Sequence, residues 1–187
     1  MVAMKIRYLV FIALMQAMAS VFSVTAEAAD LTFFVGGVKS GSINYHDVKT
    51  SLDGSPIYGA RVGAKLVRFL GMEHSVAFSS DYLFPRKAAA IKDANGFVYN
   101  GNLIIEIPAN GVVPFVTAGV GLMHQYGDED LPVGTKFAVN YGGGVKFPSL
   151  AGPVGLRFDI RGYRAGVVSN KLNMIEVSGG VIISLRR

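Results

Sequence analysis

The chain has 187 residues, no cysteine, no tryptophan, 51% hydrophobic and 17% charged residues, and a formal net charge of +5. Its length suits one domain. Its mean hydropathy of +0.40 excludes a disordered chain, and the missing cysteine excludes disulfide scaffolds, thiolate zinc sites and thiol nucleophiles.

Lys5 and Arg7 form a short basic start. An apolar run follows from Tyr8 to Val24, broken by Gln16 and small polar residues, and then Ala26-Glu27-Ala28 supplies an A-x-A pattern. This predicts a secretory signal peptide over residues 1–28, cut after Ala28, in preference to a retained membrane anchor. No cysteine follows the site, so a lipoprotein is excluded. The one remaining domain is 29–187. Lys5, Arg7 and Glu27 carry a net +1, so the +5 of the chain falls to +4 after processing, too little to argue for nucleic acid.

From Asp30 onward no segment offers the ~18 unbroken apolar residues of a spanning helix. The pattern instead has period two, the mark of strands with unlike faces. The first segment, Leu31 to Val38, alternates least cleanly. In Ile57 to Phe69, Tyr58, Ala60, Val62, Ala64 and Leu66 oppose Gly59, Arg61, Gly63 and Lys65. In His74 to Phe84, Val76, Phe78, Tyr82 and Phe84 oppose Ser75, Ala77, Ser79 and Asp81. In Phe97 to Ile107, an apolar face opposes Asn100, Asn102 and Glu106. In Pro114 to His124, Val116, Ala118, Val120 and Leu122 oppose Thr117, Gly119 and Gly121. Lys136 to Phe147 sets Phe137, Val139, Tyr141, Val145 and Phe147 against Asn140, Gly142, Gly144 and Lys146. Val154 to Tyr163 sets Leu156, Phe158 and Ile160 against Arg157, Asp159 and Arg161. Leu172 to Leu185 sets Ile175, Val177, Val181, Ile183 and Leu185 against Glu176, Ser178 and Gly180. Eight strands are predicted, joined alternately by long polar connections (about Lys39–Ser55, Pro85–Asn95, Gln125–Gly134, Ala165–Lys171) and short ones near Gly71, at Pro108–Val112 and at Pro148–Pro153.

Eight antiparallel strands fit a soluble barrel or a transmembrane one, and the two differ in which face is apolar. Here the polar face also carries Gly59, Gly63, Gly119, Gly121, Gly142, Gly144 and Gly180. A water-facing surface has no use for them, whereas a narrow interior needs small residues beside long charged ones. The apolar face is rich in Val, Ile, Leu and Phe and fits lipid. Aromatic residues lie near the predicted strand ends, Tyr58, Tyr82, Phe84, Phe97, Tyr99, Phe137 and Tyr163 beside long connections and Phe69, Phe115 and Phe147 beside short ones. They form the two girdles expected at a bilayer's interfaces. The predicted class is all-β, an eight-stranded antiparallel transmembrane β-barrel of up-and-down topology.

The segments "PFVTAGVGL", "NYGGGVKF", "GLRFDIRGYR" and "EVSGGVIISL", with the loop alternation, make the chain similar to the small outer-membrane β-barrel proteins, the OmpA transmembrane domain and OmpX-like group. The resemblance covers all of 29–187. It implies the outer membrane of a Gram-negative bacterium, a plugged and ion-paired interior, and assembly by the outer-membrane machinery. One departure stands out: the last segment ends Leu185-Arg186-Arg187 where the group usually has an aromatic.

The interior is expected to hold Arg61, Lys65, Lys146, Arg157 and Arg161 against Asp81, Glu106, Asp159 and Glu176, with Arg157, Arg61 and Lys146 pairing with Glu106 and Glu176, because a buried charge is costly unless paired. A wet lumen of weak conductance is the other reading. Arg86, Lys87 and Lys92 in the loops are candidates for contacts with lipopolysaccharide phosphates, set against ordinary solvation. Asp128-Glu129-Asp130 lacks the spaced ligands of a calcium loop, so no metal and no cofactor is expected. His74 and Ser75 are sequence neighbours and would face opposite ways; no histidine has the same-face serine two positions away that lipid A deacylase barrels use. The chain is therefore expected to be a non-enzymatic, monomeric envelope barrel with a structural or surface-interaction role, whose partners are outer-membrane lipid, lipopolysaccharide and an unnamed surface or host ligand. A small pore and a lipid A-modifying enzyme are the alternatives.

Overall fold

The computed structural model describes residues 28–45, 48–51, 53–80, 94–127, 134–166 and 172–185. Residues 1–27 of the expected signal peptide, Asp81 expected in the interior, Tyr82 and Phe84 expected in the girdle, the candidate lipopolysaccharide contacts Arg86, Lys87 and Lys92, and Asp128-Glu129-Asp130 lie outside the described residues. Among the described residues ten strands follow in chain order: β1 (Ala28–Ser40), β2 (Ser42–Tyr45), β3 (Val48–Ser51), β4 (Ser55–Val67), β5 (Leu70–Ser79), β6 (Ala94–Glu106), β7 (Val113–Gly127), β8 (Thr135–Ala151), β9 (Val154–Ala165) and β10 (Leu172–Leu185).

Eight of them close a barrel in the order β1-β10-β9-β8-β7-β6-β5-β4, each antiparallel to its neighbours. Closure pairs β1 with both β4 and β10, so no barrel edge is left open to lipid. The other two, β2 and β3, form a separate hairpin inside the first long connection. That connection is a plain loop in the sequence reading, yet it contains Ile43, Tyr45, Val48 and Thr50, residue types that favour strands, and the register sets Ile43 opposite Thr50 and Tyr45 opposite Val48.

Polarity is inverted relative to a water-soluble barrel. Val35, Val116, Ile160 and Ile175 point outward and are 67%, 58%, 61% and 58% exposed, while Arg157 and Arg161 are fully buried inside. Such a wall is stable only against hydrocarbon, so the barrel is of the transmembrane kind. Among the described residues no helix is long and apolar enough to cross a membrane; the strands do the crossing.

The glycines work in two ways. Inside, a Cβ at Gly121 would fall 2.0 Å from the Tyr99 carbonyl oxygen and 2.4 Å from Asn100 Oδ1, so only glycine lets β7 approach β6 so closely. Outside, Tyr141 lies over Gly162 and Phe158 over Gly179, each aromatic on the strand paired with its glycine. These rings cover the backbone that a missing side chain would leave bare.

Candidate functional site

The alternation places the chemistry of this chain inside the barrel, in three storeys. The middle storey is a closed cluster of three arginines and three acids. Arg61 on β4 donates to Asp159 at 3.1 Å, to Glu176 at 2.6 Å and to Ser178 at 3.0 Å. Arg157 grips Asp159 through two bonds of 2.9 and 3.0 Å and pairs with Glu73 at 2.5 Å. Arg161 meets Glu73 at 2.7 Å and Asp159 at 2.8 Å. Tyr163 donates its hydroxyl to Glu176 at 2.6 Å, and Ser178 donates to the other oxygen of the same carboxylate at 2.8 Å.

The second cluster sits at the short-turn mouth. Lys146 bonds Asp30 at 2.8 Å and Glu106 at 2.7 Å, and Lys65 pairs with Glu106 at 3.4 Å. A cavity of about 260 Å³ lies beside these four residues. Phe115 stands between the clusters, its ring centroid 4.6 Å from the Arg157 guanidinium and 5.8 Å from the Lys146 ammonium. The Arg61 guanidinium stacks on Phe34 at 3.6 Å. Such faces favour cations that have lost their water. Each cluster balances its charges, three against three and two against two, which limits the cost of burying them.

The third storey, toward the long connections, is mainly apolar, with Ser55, Ser79 and Gln125 buried at its margin. Val38, Ile57, Val98, Met123, Leu172 and Met174 are buried there against one another. The sequence reading gives the interior to charged, polar and small residues throughout. These inward aliphatics were hidden because a long-chain apolar residue on the polar face reads as a lapse in alternation.

The expected interior residues Arg61, Lys65, Glu106, Lys146, Arg157, Asp159, Arg161 and Glu176 all meet inside. The Arg61–Glu176 and Lys146–Glu106 pairs form as expected. Arg157 does not reach Glu106 or Glu176; it takes Glu73 and Asp159 instead. Glu73 and Asp30 were missed, although the parity of Ser75 and Ala77 puts Glu73 inside, and that of Thr32 does the same for Asp30.

The girdle needs two corrections. Tyr58, Phe69 and Phe137 are exposed on the outer wall, and Phe97, Tyr99 and Phe147 are half-buried on it. Phe115 and Tyr163 are instead buried in the lumen, at 3% and 4% exposure. Each shares parity with interior neighbours, Phe115 with Thr117 and Tyr163 with Arg161, and parity prevails over an aromatic's closeness to a strand end. On the lipid side, His74 Nδ1 and the Tyr99 hydroxyl lie 2.7 Å apart, as do His124 Nδ1 and the Thr135 hydroxyl.

No protein-family model matches the chain, and the comparison with curated proteins returned no match. Solved structures do match. The crystal structure of Neisserial surface protein A (NspA) aligns with a TM-score of 0.65 at 17% identity, covering 84% of this chain and 97% of that one. The outer membrane protein OprG from Pseudomonas aeruginosa aligns at 0.60 and 13% identity, covering 87% and 98%. The outer membrane enzyme PagL aligns at 0.51 and 15% identity, covering 82% and 98%. The chain has the fold of the small eight-stranded outer-membrane β-barrels.

Proposed function

We propose that this chain is an integral protein of the Gram-negative outer membrane, exported by its leader and placed by the assembly machinery, that acts as a structural or surface-interaction barrel with a closed lumen. The filled interior carries this reading. Two neutral charge clusters and an apolar storey occupy the bore from the short turns toward the long connections. An ion would have to displace paired charges and then cross a packed, mainly apolar layer. With the bore closed, contact with partners falls to the loops at the long-connection end, which in such barrels face outward. Those partners would be outer-membrane lipid, lipopolysaccharide and a surface or host ligand, met by a monomer. Planar-bilayer recording of the folded protein tests the reading: a silent baseline is expected, and a steady stepwise conductance would favour the small-pore alternative.

One observation favours a lipid-modifying enzyme as a second reading. The same fold serves the enzyme PagL, and His124 faces the Thr135 hydroxyl on the lipid side at 2.7 Å. A base beside a hydroxyl is the start of a nucleophilic pair. Among the described residues, however, no carboxylate bonds His124, and Thr135 is its direct cross-strand partner, which alone brings the two together. Mass analysis of lipid A from cells with and without the protein separates the readings: unchanged lipid A is expected.

A further inference from the structure

The outer wall at the long-connection end carries a depression that the closed lumen does not explain. It has a volume of about 1100 Å³ and is lined by Gly37, Gly162, Tyr141, Ile175 and Val177. A second depression of about 530 Å³ shares Val177 and continues it along Phe158 and Ile160. Gly37 faces outward and leaves the floor deep, since a Cβ there would meet nothing nearer than 3.9 Å, while the Tyr141 ring over Gly162 forms one side.

Two cations straddle the upper end of this groove. Lys39 on β1 lies opposite Ile175 on β10, and Arg164 on β9 lies opposite Asn173 on β10. Both side chains are exposed and line the depression, and Asn173 lies between their strands. Neither carries an ion pair among the described residues, unlike the five cations of the two lumen clusters. They are also the only Lys or Arg on the lipid-facing side of β1, β9 and β10 among the described residues. An outward cation at the rim of an apolar groove is placed for a phosphate whose chains lie below it.

We propose that this groove is a binding site for lipid A, the phosphorylated anchor of lipopolysaccharide. Lys39 and Arg164 hold its phosphates, Asn173 bonds its sugar hydroxyls, and acyl chains lie along Tyr141, Ile175, Val177 and Phe158. The assignment rests on the outer-membrane reading, which turns this end of the barrel toward the leaflet that holds lipopolysaccharide. Cations on two strands with a third strand between them suit a headgroup bearing two separated phosphates better than a single phosphodiester.

Native mass spectrometry of the detergent-purified protein tests the site, with diphosphorylated lipid A, its dephosphorylated form and phosphatidylglycerol as probes. Wild type should retain diphosphorylated lipid A and release the other two. K39Q/R164Q should retain about tenfold less or lower still. Gly37→Leu, which fills the floor without touching a charge, should also lose it. Arg68→Gln, an exposed cation at a short turn, should bind as wild type. Equal retention by K39Q/R164Q and wild type would overturn the site, and so would equal retention of phosphatidylglycerol. Heat-shifted gel migration is read on the same samples. Its loss in wild type would overturn the barrel reading, whereas shifted variants that still bind overturn the site alone.

Discussion

Glu73 on β5 and Arg161 on β9 stand on opposite walls of the barrel and meet at 2.7 Å. In the closed strand order β5 and β9 are four places apart whichever way the ring is counted, so this pair spans a diameter. Arg157, also on β9, reaches the other Glu73 oxygen at 2.5 Å. One carboxylate therefore braces the lumen against two arginines, and β9, with Arg157, Asp159 and Arg161 on successive inward positions, forms the spine of the interior.

Removing that brace leaves its cluster with three cations and two anions. Glu73→Ala should destabilise the barrel by about 3–5 kcal/mol, because Arg157 and Arg161 stay buried with a partner lost. Glu73→Gln should cost less, since it keeps acceptor and volume. Urea unfolding in lipid vesicles reads both; a midpoint unchanged in Glu73→Ala would show that water replaces the carboxylate.

Tyr163 offers a smaller test. Its hydroxyl donates to buried Glu176 at 2.6 Å, and a hydrogen bond to a charged group contributes about 1.5–3 kcal/mol. Tyr163→Phe should lower stability by that order while leaving the wall intact. A residue placed in an interfacial girdle would tolerate the same change, so the unfolding midpoint distinguishes lumen from rim.

Glycine substitutions separate the two sides of the wall. Gly121→Val drives a side chain to within 2.0 Å of the Tyr99 carbonyl and should cut the yield of heat-shifted, folded protein sharply. Gly37→Ala points into open space and should fold as wild type. Equal yields for both would mean that β7 and β6 pack less closely than the structure has them.

Much of this was legible in alternation alone. Period two put Arg61, Lys146, Arg157, Asp159, Arg161 and Glu176 on one face, and the glycines beside them told interior from surface. The same parity held Phe115, Tyr163 and Glu73, but aromaticity near a strand end outweighed it for two of them, and an alternating segment begun at His74 stopped one residue short of the third. Pairing was another matter. Which arginine meets Glu73 depends on strand stagger and on contacts across a diameter, which no local pattern encodes. The apolar storey was hidden for a related reason: Val38, Ile57, Val98 and Met123, on β1, β4, β6 and β7, become one layer only when the barrel closes.

That layer makes a prediction about conductance. Arg161→Ala removes a brace from the charged storey but leaves Val38, Ile57, Met123 and Met174 packed above it. A packed, mainly apolar constriction still excludes ions, so single-channel traces of Arg161→Ala should stay at baseline. Steps appearing in this variant alone would show that the charges are the only barrier.

The central claim is that an apolar wall meets lipid while charges lie inside a closed barrel. The most direct measurement is electrophoretic migration of the protein from the outer-membrane fraction, loaded with and without boiling. A closed transmembrane barrel resists detergent until heated, so the unboiled sample should run as a compact band and shift on boiling. A protein recovered in the soluble fraction, with one migration whatever the temperature, would contradict the account.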